Sequence, residues 1–390
     1  MRHIGTQALG IRLPIISSGD NLAAIVADTL AETLHTHGIS LRPTDVVGVT
    51  EAVVAKAQGN FATVSHVAED IRRKFPGGDV GVVFPILSRN RFLNILKGVS
   101  RGAKNVHLLL QFPNDEVGNP IMNPENVDAL LDCGETFLSA ERFREITGDY
   151  RHPFTGVDYI ALYRQAGDNI EVHISNDPRR ILALTPNVLV GEIHTRMLTK
   201  KRLEKAGATS VFTLSDVLAH AVDGSGYNPQ YGILGSNLSA DETLKLFPRD
   251  CDSFVRQVRG AIEHACGAAP EVLIYGDGAF KDPLAGIWEL ADPVVSPAYT
   301  AGLEGQPREL KMKLLADALH ALDGPEKTAA VTEMIREKHA GAGASRASEG
   351  TTPRKYVDLL GSLCDLISGS GDKGTPVVLI QGYFDDYSTQ

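Results

Sequence analysis

The stretch YGDGAFKDP, residues 275–283, holds the side chains best suited to metal chemistry. It follows the apolar run EVLIY and contains Asp277 and Asp282, with Asp292 further along the chain. Carboxylates on a loop with few His or Cys residues are the ligands that Mg²⁺ and Mn²⁺ prefer. Ligand sites of α/β sheets collect at such strand ends. The alternative is that these Asp and Gly residues simply form a turn.

A second Gly- and Asp-rich stretch, AVDGSGYNPQYGILGSN, spans residues 221–237. Its oxygen-bearing side chains are those of Asp223, Ser225, Asn228, Ser236 and Asn237. These groups could bind a metal, and the backbone amides could bind phosphate. Because Asn, Gly, Pro and Asp are also turn formers, a structured surface loop remains an equal alternative.

Basic side chains follow two further apolar runs. Lys56 lies in TEAVVAKAQGN, and a lysine at a strand-to-helix junction can reach nucleotide phosphates. The segment PILSRNRF carries Arg89 and Arg91, which suit a carboxylate or phosphate substrate. Lys56 and Arg89 are therefore candidate catalytic residues beside Asp277. The alternative for each is a solvated surface group near a helix start.

The chain closes with SGSGDKGTPVVLIQG, residues 368–382, where a Gly-rich turn precedes an apolar run. A phosphate loop reads G-x-x-x-x-G-K-[ST], whereas here Lys373 precedes Gly374 and Thr375. Taken alone, the segment indicates only a tight turn into a buried strand.

Histidine and cysteine patterns disfavour other chemistries. His194 in GEIHTRM, predicted to share one face of a strand with Glu192 and Arg196, could be an acid, a base, a ligand or a structural residue. The sequence has no HExxH or CxxC pair, no G-x-S-x-G elbow and no G-x-G-x-x-G turn after its first strand. Cys364 lies in an apolar helical pattern and is predicted to be a core residue.

Composition predicts a packed, soluble protein. The 390 residues are 43% hydrophobic and 22% charged, enough for two domains or one large domain with insertions. A net charge of −10 argues against binding nucleic acid. No apolar stretch is long enough to span a membrane, and separated cysteines suit the cytoplasm. We therefore expect a cytoplasmic enzyme.

Alternating apolar runs and helical patterns predict a mixed α/β fold with flanking helices. Residues 187–195 are predicted as a strand, and SDVLAHAV, after SVFTL, as a capped helix. Polar turn residues dominate residues 114–156 and indicate an insertion or the edge of a second domain. The predicted units are a compact core of residues 1–112 and 226–390, with a mobile loop at 340–353, and an insertion of residues 113–225.

Several segments, taken in order, resemble the coenzyme F-420 (deazaflavin) gamma-glutamyl ligase family. The family reads Leu-Pro-x-Ile, SKAEG, AGIDxSN, SDTFGRP and GIPVVLVRG; the similar segments here are LPII (13–16), AKAQG (55–59), YGILGSN (231–237), YGDGAFKDP and GTPVVLIQG (374–382). They cover about a third of the chain.

The resemblance implies a homodimeric ligase that joins a small-molecule carboxylate to the amine of L-glutamate through an acyl phosphate. The cofactors would be GTP or ATP with Mg²⁺ or Mn²⁺. The implied nucleotide-binding residues are Leu13, Pro14, Ile15, Ile16, Glu51, Ala52, Lys56, Asn237, Ser368, Gly369, Ser370, Gly371, Lys373, Gly374 and Thr375. The implied metal ligands are Asp277, Asp223 and Asp282.

Two departures from the family pattern limit what the resemblance implies. Leu234 stands where AGIDxSN has its Asp, so Asp223 could take that role. The chain is also longer than compact ligases, mainly within 112–230 and 300–350, where we expect substrate selection. The acceptor could therefore be folate rather than the deazaflavin. The competing hypothesis is a regulatory nucleotide- or metabolite-binding protein that retained the pocket without the ligation activity.

Overall fold

The structure is a computed structural model that describes residues 3–116, 118–277, 280–281, 288–289, 292–307, 309–339, 354–368 and 372–389. The strands are β1 (Gln7–Ile11), β2 (Val46–Thr50), β3 (Phe61–Thr63), β4 (Asp79–Val83), β5 (Asn105–Leu110), β6 (Leu138–Ser139), β7 (Ile170–Ile174), β8 (Asn187–Val190), β9 (Ser210–Thr213), β10 (Asn237–Ala240), β11 (Thr243–Lys245), β12 (Glu271–Tyr275), β13 (Phe280–Lys281), β14 (Trp288–Glu289), β15 (Ala298–Tyr299) and β16 (Val377–Gln381).

The helices flank these strands, and the predicted mixed α/β class is confirmed. They are α1 (Leu22–His37), α2 (Glu51–Ala57), α3 (Val64–Lys74), α4 (Phe92–Gly102), α5 (Pro124–Asp132), α6 (Ala140–Thr147), α7 (Tyr159–Arg164), α8 (Arg196–Lys205), α9 (Cys251–Cys266), α10 (Met312–Ala318), α11 (Gly324–His339) and α12 (Tyr356–Ile367). Within the part of the chain that the structure describes, no helix is long and apolar enough to cross a membrane.

A five-stranded sheet joins the two ends of the chain in the order β1-β16-β2-β12-β15. β2 and β12 run parallel, and the other neighbours are antiparallel. Side chains of α1 and α9 cover one face, and α12 covers the other. Because the central strands are buried on both faces, their sequences read as continuous apolar runs.

Helix α12 lies very close to this sheet. A Cβ atom at Gly48 would lie 2.4 Å from the Cys364 sulfur, so only glycine leaves room for that contact. Cys364 is fully buried, which confirms its predicted place in the core.

A six-stranded sheet has the order β6-β7-β5-β4-β8-β9, parallel except for β6. The predicted unit boundary near residue 112 falls inside this sheet, because β4 and β5 precede it and the other four strands follow it. A smaller sheet, β10-β11-β3, leads into α3, and β10 contacts the loop after β4 through a hydrogen bond from Leu238 N to Asn90 O.

Two local predictions were wrong. The strand predicted for residues 187–195 ends at Val190, so Glu192, His194 and Arg196 do not share a strand face. The sequence SDVLAHAV (215–222) forms no α-helix: its first two residues end a 3₁₀ turn, Leu214–Asp216, and the rest is irregular. The buried Asp70 carboxylate accepts the backbone N–H of Leu218, whose positive φ of 53° ends the helical path.

Candidate active site

The parallel pair β2 and β12 places two acidic residues at one sheet edge. Glu51 directly follows β2, and Asp277 lies two residues beyond the end of β12. Since parallel strands end at the same edge, both residues lie beside one cavity of about 590 Å³. Its lining residues are Thr50, Glu51, Ala52, Arg91, Asn237, Leu238, Ser239, Lys245, Gly276, Asp277, Asp365, Leu366 and Ser368.

Glu51 and Lys245 form a buried ion pair in the cavity wall. The Lys245 Nζ atom lies 2.5 Å and 2.7 Å from the two carboxylate oxygens of Glu51. Burial raises the pKa of Glu51 to about 7, against the opposing effect of the Lys245 ammonium. A carboxyl group with a pKa near neutrality can exchange a proton during catalysis.

Arg91 bridges two aspartates on the opposite wall. Its guanidinium donates to Asp277 Oδ2 at 2.6 Å and to Asp292 Oδ1 at 3.0 Å. Burial lowers the pKa of Arg91, but Asp292 and Asp277 raise it by more, so its pKa is raised overall. The Asp292 side chain is only 2% exposed and also accepts the backbone N–H of Asp277 at 2.8 Å.

Gly276 gives the Asp292 carboxylate its space. A Cβ atom at this position would lie 2.2 Å from Asp292 Oδ2, closer than any normal contact. The glycine before Asp277 is therefore required by the packing of a buried charged side chain.

Comparison with known proteins shows which family the chain belongs to. The family model described as F420-0:gamma-glutamyl ligase matches residues 10–382. The chain belongs to this family. The predicted resemblance is thus confirmed over nearly the whole chain, well beyond the segments that first indicated it. Family membership implies a ligase that forms carbon–nitrogen bonds. No curated protein matches the chain.

Several residues that the family resemblance implied do line the cavity. They are Glu51, Ala52, Asn237, Asp277 and Ser368. Asp282, Gly278, Gly369, Ser370 and Gly371, together with residues 340–353, lie outside the described residues.

The rest of the closing segment reaches the same sheet edge but does not line the cavity. The Pro376 carbonyl accepts the backbone N–H of Thr50 at 2.9 Å and the Tyr275 hydroxyl at 3.2 Å. Lys373, Gly374 and Thr375 lie just before it, and the Lys373 carbonyl accepts from Arg12 Nε at 3.3 Å.

The LPII segment lies beside the five-stranded sheet, outside the cavity lining. Ile16 is buried in the core under α1, and Leu13 packs partly against the same core. Pro14 is exposed, and Ile15 is 96% exposed, an unusual environment for so apolar a side chain.

Three polar residues that were predicted to belong to the site do not line the cavity. Lys56 is exposed, with its ammonium 5.2 Å from the centre of the Phe61 ring. Arg89 is exposed, and Arg91, two residues later, is the arginine that lines the cavity. Asp223 pairs with Arg73 at 3.2 Å on the outer side of α3.

Neither Leu234 nor Asp223 supplies a carboxylate to the cavity. Leu234 is buried in the core, and the structure does not bring Asp223 to the cavity. Asp292, in contrast, lies against Gly276 and Asp277. In the sequence Asp292 stands out only as an acidic residue near Asp277 and Asp282. Lys245 gives no sequence signal, because its strand β11 has only three residues and shows no recognisable pattern.

The cavity carries side-chain oxygens of the type that hard divalent cations bind. Among the described residues that line it, the carboxylates of Glu51, Asp277 and Asp365 outnumber the cationic groups of Arg91 and Lys245, and the buried Asp292 pairs with Arg91. Oxygen donors of this kind fit Mg²⁺ or Mn²⁺ better than Zn²⁺. Arg91 and Lys245 also give the site cationic groups for anionic substrates.

Proposed function

We propose that the protein is a nucleoside-triphosphate-driven amide ligase that joins L-glutamate, or a similar amine, to a substrate carboxylate. The observation that carries the proposal is the cavity at the ends of β2 and β12, with both acidic and basic side chains that are largely shielded from solvent, in a chain of the ligase family. Nucleotide, divalent metal, acceptor acid and amine are all charged, so a site for them needs groups of both signs.

In this proposal Asp277 would contribute to a site for Mg²⁺ or Mn²⁺, which would neutralise phosphate charge when bound. Arg91 and Lys245 would bind phosphate or carboxylate oxygens. Asn237 and the backbone around Ser368 would contact the nucleotide. Lys56 and Arg89, the other predicted catalytic residues, are exposed and do not line the cavity, so the proposal assigns them no step.

The proposed reaction passes through an acyl phosphate. The acceptor carboxylate attacks the terminal phosphorus, and nucleoside diphosphate leaves. The glutamate amine then attacks the acyl carbon, so that a C–N bond forms while the C–O bond to phosphate breaks. Glu51 is a suitable acceptor for the proton that the amine loses, because its pKa is raised to about 7.

The acceptor is the least constrained part of the proposal. The family description favours the deazaflavin precursor F420-0, and folate is the alternative acid. Either GTP or ATP would serve as the phosphoryl donor. We also propose a homodimer, which sedimentation of the purified chain would test.

The deciding experiment compares Asp277→Asn with the matched control Asp223→Asn. Glutamate-dependent release of nucleoside diphosphate is measured with GTP or ATP, Mn²⁺, and a panel of acids that includes F420-0 and folate. We expect Asp277→Asn to lower turnover by at least about 100-fold and Asp223→Asn to leave it unchanged.

Other outcomes separate the alternatives. Metal-dependent nucleotide binding without hydrolysis, for every acid tested, would favour the regulatory protein. Absence of nucleotide binding by titration calorimetry would overturn both hypotheses.

A further inference from the structure

A second group of potential metal ligands lies on the six-stranded sheet. Strands β5 and β7 pair in parallel with His107 opposite Glu171 and Leu109 opposite His173. Side chains of alternate residues share a sheet face, so His107, Glu171 and His173 all project from the same side. None of the three lines the cavity of the proposed ligase site.

The three side chains converge on a small volume. Their ligand atoms all lie within 4.8 Å of one another, and theirs is the one such group of three found across the described residues. The Glu171 Oε2 atom is 3.3 Å from His107 Nδ1 and 3.8 Å from His173 Nε2. Spacing of this order needs only small side-chain rotations to surround one ion with ligands at about 2.0–2.2 Å.

The two imidazoles have unmet bonding capacity. His107 Nδ1 and His173 Nε2 are both buried, and neither makes a hydrogen bond to another group of the protein. Buried polar atoms without a partner are rare and call for an explanation, such as an ion.

The surroundings hold the His173 ring in position and leave one side of the group His107, Glu171 and His173 open. Phe137 stacks on the His173 ring with a centroid distance of 5.2 Å and an interplanar angle of 17°. Glu171 is 69% exposed, so the open side faces solvent. The nearby charged groups, Glu141 and Arg164, form an ion pair with each other.

We propose that His107, Glu171 and His173 bind a first-row divalent transition metal, with Zn²⁺ as the best fit. Two imidazole nitrogens and one carboxylate oxygen match the donors that Zn²⁺ prefers, whereas Mg²⁺ and Mn²⁺ favour all-oxygen sites. Three protein ligands leave the solvent-facing position for water or an external ligand. The ion would join β5 to β7 independently of the ligase cavity.

The test measures Zn²⁺ affinity of the full chain after treatment with a chelator, by competition with a chromogenic zinc indicator. Glu171→Gln and His173→Gln are compared with the wild type and with the control His264→Gln, which removes an exposed histidine on α9. We expect the two site variants to lose affinity by at least about 10–100-fold and the control to match the wild type.

Cobalt gives an independent signal. Co²⁺ in a four-coordinate site with nitrogen ligands has intense visible absorption, which Glu171→Gln should abolish. Since Glu171 is exposed, this variant should fold normally even if His173→Gln does not. Equal Zn²⁺ affinity in wild type and Glu171→Gln, or no retention of Zn²⁺ by the wild type on dialysis, would overturn the proposal.

Discussion

Two Asp–Gly turns that look alike in the sequence have different environments in the fold. Asp277, after Gly276, is 43% exposed, but it pairs with an Arg91 side chain that is only 14% exposed, next to the buried Asp292. Asp223, before Gly224, is 62% exposed and pairs with Arg73, which is 51% exposed. The same residue types therefore form a charged site in one place and a solvated surface turn in the other.

The difference comes from what precedes each turn. Asp277 follows β12, a central strand whose parallel neighbour β2 ends at the same edge with Glu51. Asp223 follows a 3₁₀ turn and an irregular segment that belongs to no strand. An Asp–Gly turn becomes part of a candidate site when the sheet brings the ends of other strands beside it.

The largest expected difference between the two turns is in stability. Arg91→Ala would leave Asp292 as an uncompensated buried charge beside Asp277, and should lower the free energy of unfolding by about 3–5 kcal/mol. Arg73→Ala, at the exposed pair, should leave it unchanged within error. Urea denaturation of both variants measures the contrast, and equal effects would contradict the assignment of Arg91 to a buried network.

The next effect is a pH dependence of stability that comes from a buried carboxyl group in the cavity wall. Burial raises the pKa of Glu51 from its ordinary 4.5 to about 7, so between these values the folded protein binds a proton that the unfolded chain has released. The free energy of unfolding should therefore fall as the pH rises through this window, by on the order of 2 kcal/mol from this group.

Glu51→Gln should remove the part of that fall that comes from Glu51, because glutamine does not titrate. The control is Glu242→Gln. Glu242 pairs with Arg101 at the protein surface, and the pKa of Glu242 is lowered rather than raised. Stability curves from pH 4.5 to 8 distinguish the two variants. A wild-type slope that survives in Glu51→Gln would assign the dependence to other groups.

Much of the five-stranded sheet was predictable from sequence, and the reason is local. The runs VVGVT and EVLIY are apolar because both sheet faces are covered, and α1 and α9 present apolar residues at helical spacing. In each of these segments the apolar residues that form the pattern are the same residues that become buried. The helices α5 and α6 within residues 114–156 were not predicted, because they bury few side chains, among them Leu130 and Phe143.

Glu51, Lys245, Arg91, Asp277 and Asp292 form the charged groups of the site. They were only half predictable, because they are far apart in the chain. Asp277 and Glu51 follow strands, which gives a local signal. Lys245 and Asp292 have none, and their importance comes from tertiary contacts with Glu51 and Arg91. The choice of Arg89 over Arg91 has the same origin, since neighbouring arginines cannot be told apart without the direction that each side chain takes.

A third prediction compares the two glycines. Gly276→Ala places a methyl group against Asp292 and should cost about 1–3 kcal/mol of stability while displacing that carboxylate. Gly224→Ala meets no atom within 4 Å but must hold a φ of 83°, so it should cost about 1 kcal/mol through the backbone alone. Nucleotide and Mn²⁺ affinity, measured beside stability, should fall only for Gly276→Ala.

The smallest expected effect is that of Asp223→Gly. Asp223 has a φ of 50°, a conformation that glycine adopts more easily, so the substitution relieves backbone strain while it removes the exposed pair with Arg73. Glycine also makes the unfolded chain more flexible, which offsets the relief. We expect the melting temperature to change by less than about 2 °C and ligase turnover to stay constant. A clear loss of metal-dependent activity would instead restore Asp223 as a ligand, because no stability change of that size could account for it.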